Sequence, residues 1–375
     1  MPPFQSPATL LIIAQSARML VQMAVSAGYY AIAIDCYADL DTRQLAISYK
    51  KVNDLSLPEL ELALAELQKH HNYTYIIYGS GFEGFPESLD FLSAQGPLLG
   101  TAPLVFQRLL DKPDFLQQLT KLDIAHPHSV FCKPANTENY LFKPFYSQGG
   151  LGIRFINVTD DHAINNGYWQ QYLAGQPMSV TFLASGGKYR ILGFNRQWTQ
   201  AMGEQGFLFA GVTNRAELRE ANQLLLNNVL DQLLKVYALQ GLASLDFILL
   251  DEHCYILEVN ARPPASAQLY GPKVFNWHIQ ACLGSLPSLA ELPSIPAAYQ
   301  IVFAPLPIQI PDDIQWPDWA HDIPAAGVII GKNQPICSII AAENTPQRLT
   351  DQLLLRQHLI ENILNTGSYQ HAIPG

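Results

Sequence analysis

Charge is scarce in this sequence of 375 residues: only 14% are Asp, Glu, Lys or Arg, and 22 Lys and Arg face 32 acids, for a net charge of −10. The basic residues form no cluster, so a polyanion finds no electrostatic footprint and nucleic acid is not an expected partner. Cysteine is also scarce. Cys36, Cys132, Cys254, Cys282 and Cys337 are odd in number and scattered, with no C-x-x-C pair. That pattern argues against a disulfide framework and a zinc site, and for reduced thiols. No apolar run approaches the roughly 18 residues of a membrane span, so no membrane partner is expected. The first residues lack a basic region and a cleavage site, so export is not expected and a cytoplasmic location is. What is abundant is apolar material: 49% of the chain is hydrophobic, enough for two or three domains with full cores.

Against so few charges, the stretch Leu242 to Pro264, LASLDFILLDEHCYILEVNARPP, places its acids conspicuously. Ala243 to Leu250 and Cys254 to Val259 read as two strands joined by a tight DEH turn. Folding that hairpin back brings Asp246, Glu258 and Asn260 to one end, and the side chains at 258 and 260, two apart, share a face. Two carboxylates and an amide suit a hard cation such as Mg²⁺ that takes its other ligands from water and phosphates. Arg262 would place a fixed positive fork beside it. An ordinary amphipathic hairpin with an acidic rim is the plainer reading unless a phosphate-binding element lies upstream.

The chain opens with a buried strand, Thr9 to Ala14, a helix in QSARMLVQMAVSAGY, and a second strand from Ala31 to Asp35. The turn AQSAR is not the G-x-G-x-x-G of dinucleotide binding, which weighs against NAD. Ser16 is predicted to cap the helix, and Arg18 to face a carboxylate ligand or solvent. A helix from Leu57 to His70 leads to a strand at Tyr73 to Tyr78 and the turn GSGFEGFPE. There Gly79, Gly81 and Glu83 are candidate substrate contacts beyond the strand ends, or simply a loop needing positive φ. One helix is predicted over Phe106 to Leu122, and a strand from Pro127.

The upstream element appears at Tyr140 to Phe155, YLFKPFYSQGGLGIRF. A strand delivers Lys143 into the loop Ser147-Gln148-Gly149-Gly150-Leu151-Gly152, whose glycines let backbone N–H groups close over phosphates while the lysine adds a point charge. The extended segment WQQYLAGQPMSVTFL, turning at Gly175, lies between this loop and the hairpin.

This order of parts resembles the ATP-grasp superfamily of carboxylate-amine and carboxylate-thiol ligases over about Leu109 to Gly271. The resemblance implies a mixed α/β fold: a Rossmann-like pre-ATP-grasp domain (1–103), a two-subdomain α+β ATP-grasp domain (104–295, lid about 125–175, metal hairpin 242–264) and a small β-rich C-terminal cap (296–375) of the biotin-carboxylase-like kind. It implies ATP and Mg²⁺ as cofactors. Lys112, in a D-K pair, and Lys143, in K-P-x-x-x-x-G-G-x-G, would bind the phosphates with Ser147, Gln148, Gly149 and Gly150. Gln170, Gln171, Tyr172 and Leu173 would form the adenine hinge, with Asp246, Glu258 and Asn260 as metal ligands and Arg262 and Lys143 as catalytic cations. Two departures stand out: Gln170 or Gln171 replaces the hinge glutamate, and Ser244 replaces the arginine that D-alanyl-D-alanine ligases carry two positions before the metal aspartate.

The function so implied is ATP-dependent ligation of a small-molecule carboxylate to an amine through an acyl phosphate, with a homodimer as the assembly it allows. Arg190, Arg196 and Arg215 are candidates for a carboxylate-binding wall, or solvated strand-edge residues. The whole-chain pattern is also similar to predicted ligases beside one-carbon cofactor pathways, which implies amide formation in a methanofuran-like or pterin-like cofactor. An ATP-binding regulatory protein is the alternative. No Ser/His/Asp or Cys/His arrangement stands out, and His126 and His128 lack a third ligand.

Overall fold

The structure is a computed structural model, described for residues 8–155, 166–203, 205–288, 292 and 295–366. Five parallel strands come first: β1 (Thr9–Ala14), β2 (Tyr30–Asp35), β3 (Ser48–Lys51), β4 (Tyr75–Tyr78) and β5 (Leu98–Leu99), in the order β3-β2-β1-β4-β5. The crossovers carry α1 (Arg18–Ser26), α2 (Leu40–Leu45), α3 (Leu57–Leu67) and α4 (Glu87–Gln95). Apolar side chains on both faces of β1 explain this arrangement, because a parallel sheet is covered on both sides. Leu11 and Ile13 join one core with Leu60 and Leu64, while Leu10 and Ile12 join another with Leu20 and Val21. The strand order reverses between β1 and β4, which opens a crevice at their carboxyl ends.

The predicted helix over Phe106 to Leu122 is two helices, α5 (Pro103–Leu110) and α6 (Lys112–Lys121), separated at Asp111 with ψ 90. Pro113 lies in the first turn of α6, and its ring would meet the carbonyl of Leu109 had one helix run through. The Asp111 side chain accepts from the Asp114 N–H and caps the new start. A four-stranded lid sheet follows, ordered β6-β9-β7-β8 from β6 (Ser129–Val130), β7 (Tyr140–Pro144), β8 (Arg154–Phe155) and β9 (Gly167–Gln171).

The largest sheet is built from β10 (Gln176–Ser185), β11 (Lys188–Met202), β12 (Gln205–Thr213), then, after α7 (Glu220–Val236), from β13 (Gly241–Leu250) and β14 (His253–Asn260). After α8 (Val274–Cys282) come β15 (Ala297–Phe303), β16 (Ile308–Gln309), β17 (Ala320–His321), β18 (Ile329–Ile330), β19 (Pro335–Ala342) and α9 (Pro346–Thr366). The eight-stranded order is β14-β13-β10-β11-β12-β15-β19-β17, with every pair antiparallel. The C-terminal strands therefore extend the central sheet through β12 and β15, and pack their own core with α9, including Val302, Ile339 and Ile360.

Candidate functional site

The hairpin of β13 and β14 turns at Asp251 and Glu252, both at positive φ (46 and 70), the backbone a two-residue hairpin turn needs. Its register pairs Asp246 with Glu258 and Ser244 with Asn260, so the three predicted metal donors share one face and one end. Asn260 Nδ2 donates to Asp246 Oδ2 at 3.2 Å and Ser244 Oγ to Asp246 Oδ1 at 3.1 Å. Like charges directly opposite each other in a ladder destabilise it. The break of α5 from α6 supplies one remedy: Lys112, in the first turn of α6 and 8% exposed, donates from Nζ to Glu258 Oε2 at 2.9 Å.

One lysine does not balance two carboxylates. The Lys112 ammonium holds Glu258 well below the usual carboxylate range, against burial and with help from Lys143 and Arg262. Burial and then the Glu258 charge push Asp246 well up, opposed by hydrogen bonds from Ser244 and Gln197 and by the Arg262 charge. For Lys112, burial opposes the charge, but Glu258 overrides it and the pKa stands above the ordinary value. Arg262 donates from Nε to Glu83 Oε1 at 2.6 Å and from Nη2 to Asn260 Oδ1 at 3.4 Å. Glu83 Oε2 accepts from the Gly81 N–H at 2.9 Å. The hairpin is thereby tied to the crevice of the parallel sheet. Gly81 has φ 108, and a Cβ there would lie 2.8 Å from Gln15 Cβ and Leu55 Cδ1, so both conformation and space require glycine.

In the lid sheet, Lys143 Nζ donates to Gln170 Oε1 at 3.2 Å, and Gln170 Nε2 donates to Ser129 Oγ at 3.2 Å. Gln170 is buried and Gln171 exposed. The Tyr172 N–H donates to the Asn139 carbonyl at 2.7 Å, which removes that donor from the expected adenine-reading role; the Tyr172 ring packs on Phe155 and Phe207. Leu173 follows, half-buried, before Gly175. A Cβ on Gly175 would stand 2.5 Å from the Leu249 carbonyl, so the hinge glycine permits close approach to the hairpin.

The glycine loop is docked on β12. The Phe209 N–H donates to the Gly149 carbonyl at 2.9 Å, and the Gly152 N–H to Gln205 Oε1 at 2.7 Å. A Cβ on Gly150 would fall 1.8 Å from the Phe207 carbonyl oxygen. Ser147 Oγ donates to the Leu151 carbonyl within the loop, and Gln148 Oε1 is buried with no donor partner.

Three sequence predictions are corrected here. Ser16 does not cap α1; the Ala17 N–H is met by Asp35 Oδ2 at 2.7 Å, and Ser16 Oγ donates to Asp322. Arg18 faces neither ligand nor solvent. It is 2% exposed, donates from Nε and Nη2 to the two Asp322 oxygens at 2.9 and 3.0 Å, and from Nη1 to Gln22 and Gln268. Arg190, Arg196 and Arg215 form no single wall. Arg190 pairs with Leu183 and Arg196 with Met178, five apart on regular β10, because the register shifts at Thr181/Phe182; the two arginines thus lie on opposite faces. Arg215 is exposed at φ 55 after β12.

The structure also adds residues that sequence reasoning missed. Gln197 reaches Asp246 from β11. Gln15, Tyr37, Asn53 and Asp54 line a crevice with Gly81, Glu83 and the glycine loop. Asp54 reads in sequence only as a turn acid before α3, so no local signal marked it.

Comparison with known proteins gives the same frame. Residues 109–266 match the ATP-grasp domain family. An uncharacterized protein of Methanocaldococcus jannaschii is 23% identical over 263 residues, 66% of this chain and 64% of that protein. Among solved structures, biotin carboxylase from Campylobacter jejuni in complex with β,γ-ATP superposes with TM-score 0.71 at 14% identity, covering 94% of this chain and 91% of that one. L-amino acid ligase from Bacillus licheniformis gives TM-score 0.70 at 13% identity, covering 94% and 97%. Such identities establish a shared fold. Residues 109–266 are thus an ATP-grasp domain by their match to that family.

Proposed function

We propose that this protein is an ATP-dependent carboxylate–amine ligase that forms an amide through an acyl phosphate. The observation that carries it is the unbalanced acid pair: Asp246 and Glu258 face each other, Lys112 pairs with Glu258, and Asp246 is raised by burial and then by the Glu258 charge. Two facing carboxylates with an amide beside them fit a divalent cation better than they fit each other. Asp246, Glu258 and Asn260 would hold Mg²⁺, and its chemistry there is to neutralise phosphate oxygens. Its other ligands would be phosphates and water, in keeping with the absence, among the described residues, of any group of three His, Cys, Asp or Glu able to hold a metal.

The chain's own groups account for the rest. Lys112, Lys143 and Arg262 stand ready as fixed positive charge for the transferring phosphoryl group. A substrate carboxylate oxygen attacks the γ-phosphorus of ATP, ADP leaves, and an acyl phosphate forms. The amine then displaces phosphate. The docked glycine loop would exclude water that otherwise hydrolyses the intermediate. Two structural relatives, an L-amino acid ligase and a biotin carboxylase in complex with β,γ-ATP, support this reading. On the whole-chain resemblance alone, we assign the amide to a methanofuran-like or pterin-like one-carbon cofactor, made in the cytoplasm by a homodimer.

One observation favours a regulatory ATP-binding protein instead: neutral Gln170 stands at the hinge and holds Lys143. The test is phosphate release from Mg-ATP across a panel of carboxylates with and without amines, alongside Glu258→Gln. Release requiring both substrates and lost in the variant supports the ligase. Tight ATP binding with no release from a broad panel favours the regulatory reading.

A further inference from the structure

The crevice between the parallel sheet and the glycine loop encloses a cavity of about 510 Å³, within the range of small-molecule sites. Its walls come from the loops after β1, β2, β3 and β4 and from residues 144–152, so a molecule in it lies directly beneath the phosphate loop. Its chemistry is one-sided. Asp54 and Glu83 line it, and among the described residues no Lys, Arg or His does. Glu83 is already engaged by Arg262 and by the Gly81 N–H. Asp54 accepts the Ser56 N–H at one oxygen, 2.9 Å away. Gln148 Oε1, also in the lining, is a buried acceptor without a donor, a group that is costly to leave unmatched. Tyr37, Phe85 and Tyr146 supply aromatic surface, with Tyr37 and Tyr146 more than half exposed.

A carboxylate entering this cavity would meet acids and bare acceptors and no cation. A ligand that donates, carries positive charge and presents a ring would satisfy every feature, since ammonium groups are also drawn to aromatic faces. Resting on the ligase reading above, we propose that this cavity holds the amine substrate, a ring-bearing primary amine bound as its ammonium, with Asp54 and Gln148 Oε1 as acceptors and Tyr37, Phe85 and Tyr146 as walls. For reaction the ammonium loses one proton to solvent and its lone pair forms the C–N bond to the acyl carbon. The C–O bond breaks with its electron pair leaving on phosphate, which takes the second nitrogen proton.

The experiment is calorimetry and ligand-observed NMR on the full chain without nucleotide, at millimolar ligand. The probes are 2-phenylethylamine, its acid counterpart 3-phenylpropionate, and ring-free butylamine. The expected order places phenylethylamine first. Asp54→Asn, which keeps an acceptor for the Ser56 N–H, is expected to weaken that amine about tenfold, as loss of a charged hydrogen-bond partner does. Tyr37→Ala should weaken it by a smaller factor. Preference for the acid, indifference to Asp54→Asn, or no binding of any probe would overturn the proposal. ADP binding measured on the same samples separates the two readings: a protein that binds ADP but not the amine keeps the ligase and loses this substrate class, and one that does not bind ADP loses the ligase.

Discussion

Two ionic clusters in this protein differ in how completely their charges are met. Around Arg18, the guanidinium chelates Asp322, Asp41 accepts the N–H groups of Asp322 and Ile323, and Asp35 accepts those of Ala17, Tyr37 and Ala38. Around Asp246, the one paired lysine, Lys112, meets Glu258, and Lys143 is held by a neutral amide. The first cluster joins the ends of the chain, pinning the C-terminal strands to the parallel sheet. The second leaves charge open toward a cleft. Satisfied groups hold a fold together, whereas groups left partly unsatisfied mark where a ligand completes the set.

The comparison breaks if removing a charge has the same consequence in both clusters. Asp246→Asn should reduce ligase turnover about a thousandfold, the scale of losing an electrostatic group from a phosphoryl-transfer site, and should raise the melting temperature because it ends the repulsion from Glu258. Turnover and thermal unfolding on one sample test both signs. Arg18→Ala should do the reverse. It leaves Asp322 buried without its cation, at about 3–5 kcal/mol in denaturant unfolding, with turnover per folded molecule retained.

Gly150→Ala sharpens the contrast from the lid side. A Cβ 1.8 Å from the Phe207 oxygen at φ 78 must undock the loop, so turnover is expected to fall about a hundredfold with little change in melting temperature. The smallest effect is expected at Asp39, the exception in the satisfied cluster, whose carboxyl is raised to about 8 by burial and by the charges of Asp322, Asp35 and Asp41. The folded state then binds a proton that the unfolded state has released, so wild-type stability declines as pH rises from about 4 to about 8. Asp39→Asn should be more stable by about 1 kcal/mol at neutral pH, an advantage that shrinks as pH falls toward 4. Unfolding curves for both proteins across that range check the sign.

The site was legible wherever its residues lie close in sequence. Asp246, Glu258 and Asn260 sit on one hairpin, and strand alternation alone assigns them to one face. Lys143 and the glycine loop are equally local. Lys112 was found through its D-K pair, but the helix break that turns it toward Glu258 was predicted as continuous helix, because Pro113 acts through Leu109 one turn back. The arginine wall failed for a different reason. A single bulge in β11 against β10 reverses faces, and nothing in the composition of β11 announces it.

Arg18 shows the limit most clearly, since its partner Asp322 lies 304 residues away. The sequence by itself determined the parallel first sheet, the glycine-rich loop upstream of an acidic hairpin, and the placing of Asp246, Glu258 and Asn260 at one end of that hairpin, because periodicity and short-range spacing carry that information. Only the tertiary structure decided which arginine is structural, that the C-terminal strands extend the central sheet, and that Asp54 and Glu83 line the crevice beneath the glycine loop. Those facts depend on which distant segments pack together, and the free energy of that packing is shared over the whole core.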